Sequence, residues 1–281
     1  MKKMIVVLTA ALPALFATPA AGSVTLGQLA PGASPVVACS PGRDYLMPEV
    51  TSGNSYVVPG TGVITSWSHN AAAGNGQTLG LKIFRHLGGT EFMAVAHDGP
   101  HPLVPSSLSL NTFAVNIPVS AGDIVGLNTG SGAATACEFD GPNYEFVDSA
   151  GPLGDGQSGP FGKSGGAFYA LNISAVFQPT NTFTLGKVKR NKNGTATVTV
   201  NVPNAGELSG SGKGIKVATA AGAMIAKSVS PPTASLKIKA TGKQRTQLNA
   251  TGKVTVKPKI TYTPTGGDPR TQSLKVKLRK G

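Results

Sequence analysis

The chain has 281 residues, 40% hydrophobic and 13% charged, so it is long enough and apolar enough to bury more than one core. Gly and Pro supply 58 positions, rich in turns but short of low-complexity composition. The formal net charge of +13 is unevenly placed: residues 24–179 carry four basic and ten acidic side chains, residues 180–281 nineteen basic and two acidic.

The first residues read as an export signal. Lys2 and Lys3 precede an apolar run from Met4 to Phe16, and the small residues from Ala17 to Ser23 follow. Residues 1–22 are expected to be removed. The apolar run is shorter than the roughly 20 residues that cross a bilayer and it contains Pro13, so a transmembrane anchor is not expected here. No later segment is long and apolar enough for that role, and the mature chain is expected outside the cell or at its surface.

Residues 23–179 are predicted to form a β-sandwich of the jelly-roll kind. Short segments rich in Val, Ile, Phe and Thr recur at Val36–Cys39, Ser55–Val58, Gly62–Ser68, Thr78–Arg85, Glu91–Ala96, Thr112–Val119, Asp123–Leu127, Ala134–Phe139 and Ala167–Phe177. Turn residues separate them, and Gly88-Gly89 marks the clearest hairpin. The Gly-rich stretch from Asp140 to Gly166 reads as an exposed loop. Cys39 and Cys137 are the only cysteines, and in an exported chain an even pair is most simply a disulfide.

Residues 180–281 are predicted to form a second, basic sandwich of about seven strands, a count that suits an immunoglobulin-like fold. Alternation is plain in TATVTVNV, where Ala196, Val198, Val200 and Val202 take every second place. It recurs from Val254 to Tyr262 and from Gln272 to Leu278, read as two neighbouring strands with one apolar and one cationic face each. Pro258 marks an edge strand or a bulge.

These residues also carry a resemblance. FTLGKVKRNKNGTATVTVNVPNAGELSGSGKGI, SLKIKATGKQRTQL and GKVTVKPKITYTPTGGDPRTQSLKVKLRK together resemble an uncharacterised Ig-like tail module of secreted actinobacterial proteins. YVVPGTGVITSWSHN, LGLKIFR and LNTFAVNIPVSAGDIVGL, with the cysteine pair, are similar to uncharacterised extracellular β-sandwich domains of the same kind of protein. The resemblance implies an appended module and no catalytic residues.

Candidate sites follow from residue types. Lys237, Lys239, Lys257, Lys259, Lys275, Lys277 and Arg279 alternate with apolar residues and form the expected cationic face. Such lysines blunt strand edges against aggregation; they also suit an anionic polymer or polysaccharide of the cell envelope. Phe183 and Tyr262 are the only aromatic residues beyond position 180, too few for the stacking platform of a single-strand binder, so no specific nucleic-acid partner is expected.

Trp67, the one tryptophan, is the candidate for stacking on a sugar, against packing in the core. Glu138, Asp140, Asp148 and Asp155 are the candidate ligands for calcium, although their spacing matches no defined calcium loop, and no cofactor is otherwise expected. His97, Asp98 and His101 sit around Gly99-Pro100, which reads as a solvated turn and not as a zinc-protease helix. No catalytic set stands out. The expected function is a non-enzymatic binding or structural protein, with a carbohydrate-binding protein and an extracellular hydrolase as alternatives.

Overall fold

The computed structural model describes residues 22–31, 36–104, 109–131, 136–140, 145–148, 151–163, 169–219, 224–225 and 233–281. The expected signal peptide, residues 1–22, lies outside them except for Gly22. The fold is all-β, arranged in several sheets in a sandwich-like manner. In chain order the first strands are β1 (Val24–Gln28), β2 (Val36–Ala38), β3 (Asp44–Glu49), β4 (Gly62–Ala71), β5 (Thr78–Gly88), β6 (Glu91–Pro102) and β7 (Ser109–Val119). There follow β8 (Ile124–Thr129), β9 (Ala136–Asp140), β10 (Glu145–Asp148), β11 (Ser158–Pro160), β12 (Gly162–Lys163), β13 (Tyr169–Leu171) and β14 (Ile173–Pro179).

A four-stranded sheet, β1-β14-β4-β7, and a seven-stranded sheet, β11-β6-β5-β8-β3-β10-β12, supply most of the first core. Alternation puts Ile173, Ala175 and Phe177 of β14 inward, as the period of two requires. A small third sheet, β13-β9-β2, carries the disulfide Cys39–Cys137, whose Cα atoms are 5.8 Å apart.

Two expectations change in this half, and a register shift decides where the tryptophan lies. The stretch from Asp140 to Gly166 is not simply an exposed loop: β10, β11 and β12 belong to the seven-stranded sheet, β11 and β12 as its two edges, and Phe161 is buried against the rings of Phe84 and Phe92. One aromatic side chain anchors an otherwise Gly-rich segment. The HDGPH sequence is not a turn but part of β6, where a register shift opposite Gly80 and a cis Gly99-Pro100 bond carry the strand past β5. Simple alternation sets Ile64 and Trp67 on opposite faces of β4. A register shift between Ile64 and Ser66, with Thr65 as the extra residue against β14, instead turns both inward.

The second core runs from Phe183 to Leu278. Its strands are β15 (Thr184–Arg190), β16 (Thr195–Asn201), β17 (Gly206–Ser211), β18 (Ile215–Thr219), β19 (Met224–Ile225) and β20 (Thr233–Ala240). After helix α1 (Gly242–Thr251) come β21 (Lys253–Val256), β22 (Lys259–Pro264), β23 (Arg270–Ser273) and β24 (Val276–Arg279). Sheet β15-β16-β20-β18, sheet β19-β17-β22-β23 and the pair β21-β24 surround the core.

Two long strands expected here are each divided. Proline at 258 cannot donate to a ladder, and after it the chain leaves β21 for β22 in a different sheet. Its partner divides likewise into β23 and β24 around Leu274 and Lys275. Helix α1 was not expected. Lys, Gln, Arg, Leu and Ala favour helix, Leu248 is its one buried residue, and Gly252 at φ 66° ends it in the left-handed region.

Candidate functional site

The cationic residues of the second half lie outside its core. Lys237, Lys239, Lys257, Lys259, Lys275, Lys277 and Arg279 are all exposed, because each alternates with a buried apolar neighbour or lies in a connection. They do not share one face, as two unbroken neighbouring strands would have required. Lys237 and Lys239 lie on the outer side of β20, Lys277 and Arg279 on β24, and Lys259 on β22, with Lys257 and Lys275 between strands. The division at Pro258 and Leu274 distributes them over three sheets.

Two cross-strand contacts stand out. Lys239 is directly opposite Lys216 in the β20–β18 pair, and Lys253 directly opposite Arg279 in the β21–β24 pair. Like charges in register destabilise a sheet. Among the described residues no carboxylate forms an ion pair with any of these four, or with the other cations named above. Lys189, Thr197 and Lys237 form a further row across three strands of the same sheet. By contrast the outer side of β17-β22-β23 carries hydroxyls, with Thr261 and Thr271 bonded at 2.7 Å.

In the first half, Trp67 is fully withdrawn from solvent, which removes the ring face that stacking on a sugar needs. Its Nε1–H donates to Asp98 Oδ2 at 2.7 Å, and the same oxygen lies 2.8 Å from His101 Nε2. His101 stacks on Phe113 at 4.4 Å, and Phe113 packs on Trp67 at 4.5 Å. His97 points away from this group, its Nδ1 lying 2.8 Å from Asp155 Oδ2. Neither imidazole hydrogen-bonds a hydroxyl or thiol nucleophile among the described residues.

Among the described residues, the acidic side chains expected to suit calcium do not converge. Glu138 is buried with an oxygen 3.0 Å from Cys39 Sγ, Asp140 is exposed at the end of β9, and Asp155 is taken by His97. The Asp148 side chain lies outside the described residues. Among the described residues the one group of three metal-ligating types is Cys39, Cys137 and Glu138, and its sulfurs are joined to each other.

A polar cluster that the sequence reading passed over lies within the seven-stranded sheet, on the face that also carries Leu46 and Phe84. Lys82 of β5 is buried and its ammonium donates to both oxygens of Asp44, at 2.8 and 2.9 Å. Asp44 Oδ1 also accepts from Asn128 Nδ2 at 2.7 Å, and Oδ2 accepts the Leu153 N–H at 2.7 Å. Three donor groups thus make four hydrogen bonds to one carboxylate that has no exposed surface. Beside it lies a pocket of about 180 Å³ whose wall includes Gly80, Lys82, His97, Pro100, Asn128 and Leu153. The signal in sequence was a lone lysine inside the apolar run LGLKIF.

Elsewhere two buried groups are shifted by their surroundings. His69 is pushed down to about 4 by burial, offset in part by its Nδ1 bond to the Asn172 carbonyl. Tyr262 is pushed up to about 12 by burial, its hydroxyl donating to the Asn204 carbonyl at 2.8 Å.

No family model, curated protein or solved structure matches the chain.

Proposed function

We propose that this is an exported, non-enzymatic binding protein whose Lys-rich second half, an Ig-like module, holds it to an anionic polymer of the cell envelope. The observation that carries this reading is the pair of cross-strand like-charge contacts, Lys216 with Lys239 and Lys253 with Arg279, exposed and without acidic partners among the described residues. A sheet that sets cations opposite each other gives up some stability unless an external anion lies over them. The imbalance of nineteen basic to two acidic residues makes the attraction general to this half. Export and the first half as the recognition module remain parts of the same proposal, supported by the signal-like leader and the disulfide.

The test uses the full chain and immobilised inorganic polyphosphate. Binding should weaken linearly in log–log form as salt rises, as counterion release requires. The double variants Lys216→Gln/Lys239→Gln and Lys253→Gln/Arg279→Gln should each bind several-fold more weakly and melt no lower than the parent. Binding indifferent to salt, or variants that bind as the parent does, would remove the proposal.

A further inference from the structure

Lys82, Asp44 and Asn128 lie on three neighbouring strands, β5, β8 and β3, within one sheet. Lys82 is opposite Gly126 and Asn128 opposite Gly80, so the lysine and the asparagine are diagonal neighbours on one face. Both side chains donate to the same atom: Lys82 Nζ and Asn128 Nδ2 bond Asp44 Oδ1 at 2.8 and 2.7 Å. Their nitrogens are therefore no more than about 5.5 Å apart. The amide orientation is settled by its partners. Nδ2 faces Asp44 Oδ1 and the Arg43 carbonyl at 3.2 Å, both acceptors, so the carboxamide nitrogen is the atom presented to the carboxylate.

An ordinary buried ion pair needs only two partners, and such pairs add little net stability. Here one carboxylate oxygen connects an amine, a nucleophile once deprotonated, with the nitrogen of a carboxamide, a leaving group once protonated. A shared carboxylate of this kind can relay protons between the two nitrogens.

We propose that Lys82 and Asn128 become joined by an amide bond between their side chains, with Asp44 as the acid–base that moves the protons. A proton passes from the Lys82 ammonium to Asp44, and the freed lone pair attacks Asn128 Cγ. The new C–N bond forms as the carbonyl π electrons move to oxygen. Asp44 delivers its proton to Nδ2 and takes the one released by the lysine nitrogen. The oxyanion electrons re-form the carbonyl as the Cγ–Nδ2 bond breaks, its electron pair leaving with nitrogen as ammonia, which takes the second proton from Asp44 to depart as ammonium and restores the carboxylate. No oxidant, metal or cofactor enters the balance. Fixed orientation in a packed site supplies the advantage of an intramolecular reaction, and the adjoining pocket, lined by both Lys82 and Asn128, gives the ammonia a way out. The product ties β5 to β8 across 46 residues of chain, independently of the disulfide.

The experiment is an intact mass of the full folded chain, measured after denaturation and disulfide reduction, with peptide mapping. The expected mass is about 17 Da below that of the reduced sequence, through loss of one ammonia, with residues 82 and 128 in one branched peptide. Lys82→Arg, Asn128→Ala and Asp44→Ala should each restore the full mass. The parent measurement stands alone if Asp44→Ala fails to fold: a full mass for the folded parent overturns the proposal. So does a loss of about 17 Da that persists in Lys82→Arg, which marks cyclisation of an asparagine or glutamine elsewhere, or a loss of about 18 Da mapped to Lys82 and Asp44.

Discussion

Asn204 and Thr61 hold each other through both ends of one side-chain amide. Asn204 Oδ1 accepts the Thr61 N–H at 2.6 Å and Nδ2 donates to the Thr61 carbonyl at 2.8 Å, and Nδ2 reaches the Thr180 carbonyl as well, at 3.1 Å. Thr61 borders the first core, whereas Asn204 borders the second and receives the Tyr262 hydroxyl on its own carbonyl. One asparagine thus mimics a strand edge between the two halves. Asn204→Ala should lower stability by about 1–3 kcal/mol, since it removes three part-buried hydrogen bonds at once, although the Thr61 carbonyl keeps the Thr180 N–H. Urea unfolding checks it: the variant should broaden toward two transitions while the parent unfolds more nearly as one.

The single tryptophan gives a direct report on the first core. With Trp67 fully buried and its indole N–H on Asp98, the folded protein should emit at short wavelength and shift to the red only on unfolding. Trp67→Ala should cost about 3–5 kcal/mol through the cavity it leaves. If the residue instead stacked on sugars at the surface, the substitution would leave the melting temperature unchanged and remove polysaccharide binding.

His69 makes the fold sensitive to acid. Its Nδ1–H donates to the Asn172 carbonyl, and Nε2 is buried with no partner among the described residues, so protonation would place an unsatisfied N–H in the core. The folded-state value of about 4 lies below the unfolded 6.5, so the unfolded chain takes the proton first. Stability from this group is complete above pH 6.5 and declines as the pH falls toward about 4. The decline amounts to about 3 kcal/mol. Denaturation measured across that range should show the slope in the parent and lose it in His69→Gln.

Reduction of Cys39–Cys137 should destabilise the chain strongly. The bridge closes a separation of 98 residues, a loop for which the chain-entropy model gives roughly 4–5 kcal/mol. Cys39→Ala/Cys137→Ala should lower the denaturation midpoint by an amount in that range or below it. No change on reduction would show that the three-stranded sheet carrying the bridge contributes little to the cooperative unit.

Alternation of side chains determined much of this architecture in advance. Where a strand runs without interruption, as in TATVTVNV, LKIKA and KVTV, every second residue is buried and, apart from Thr195 at the start of its strand, the intervening lysines and threonines lie toward water. The hairpin at Gly88-Gly89 was legible for the same local reason. Local pattern also showed that one half of the chain is cationic.

Tertiary structure decided what depends on phase and partner. A single extra residue at Thr65 reversed the side on which Trp67 lies, and the proline at 258 sent one apparent strand into two sheets, spreading lysines expected on one face. Phe161 turned a Gly-rich stretch into packed edge strands because rings distant in sequence were waiting for it. Lys82, Asp44 and Asn128 are separated by dozens of residues and share no motif. Only the pairing of β5, β8 and β3 brings an ammonium and a carboxamide onto one carboxylate oxygen, because strand order is set by long-range burial and not by local periodicity.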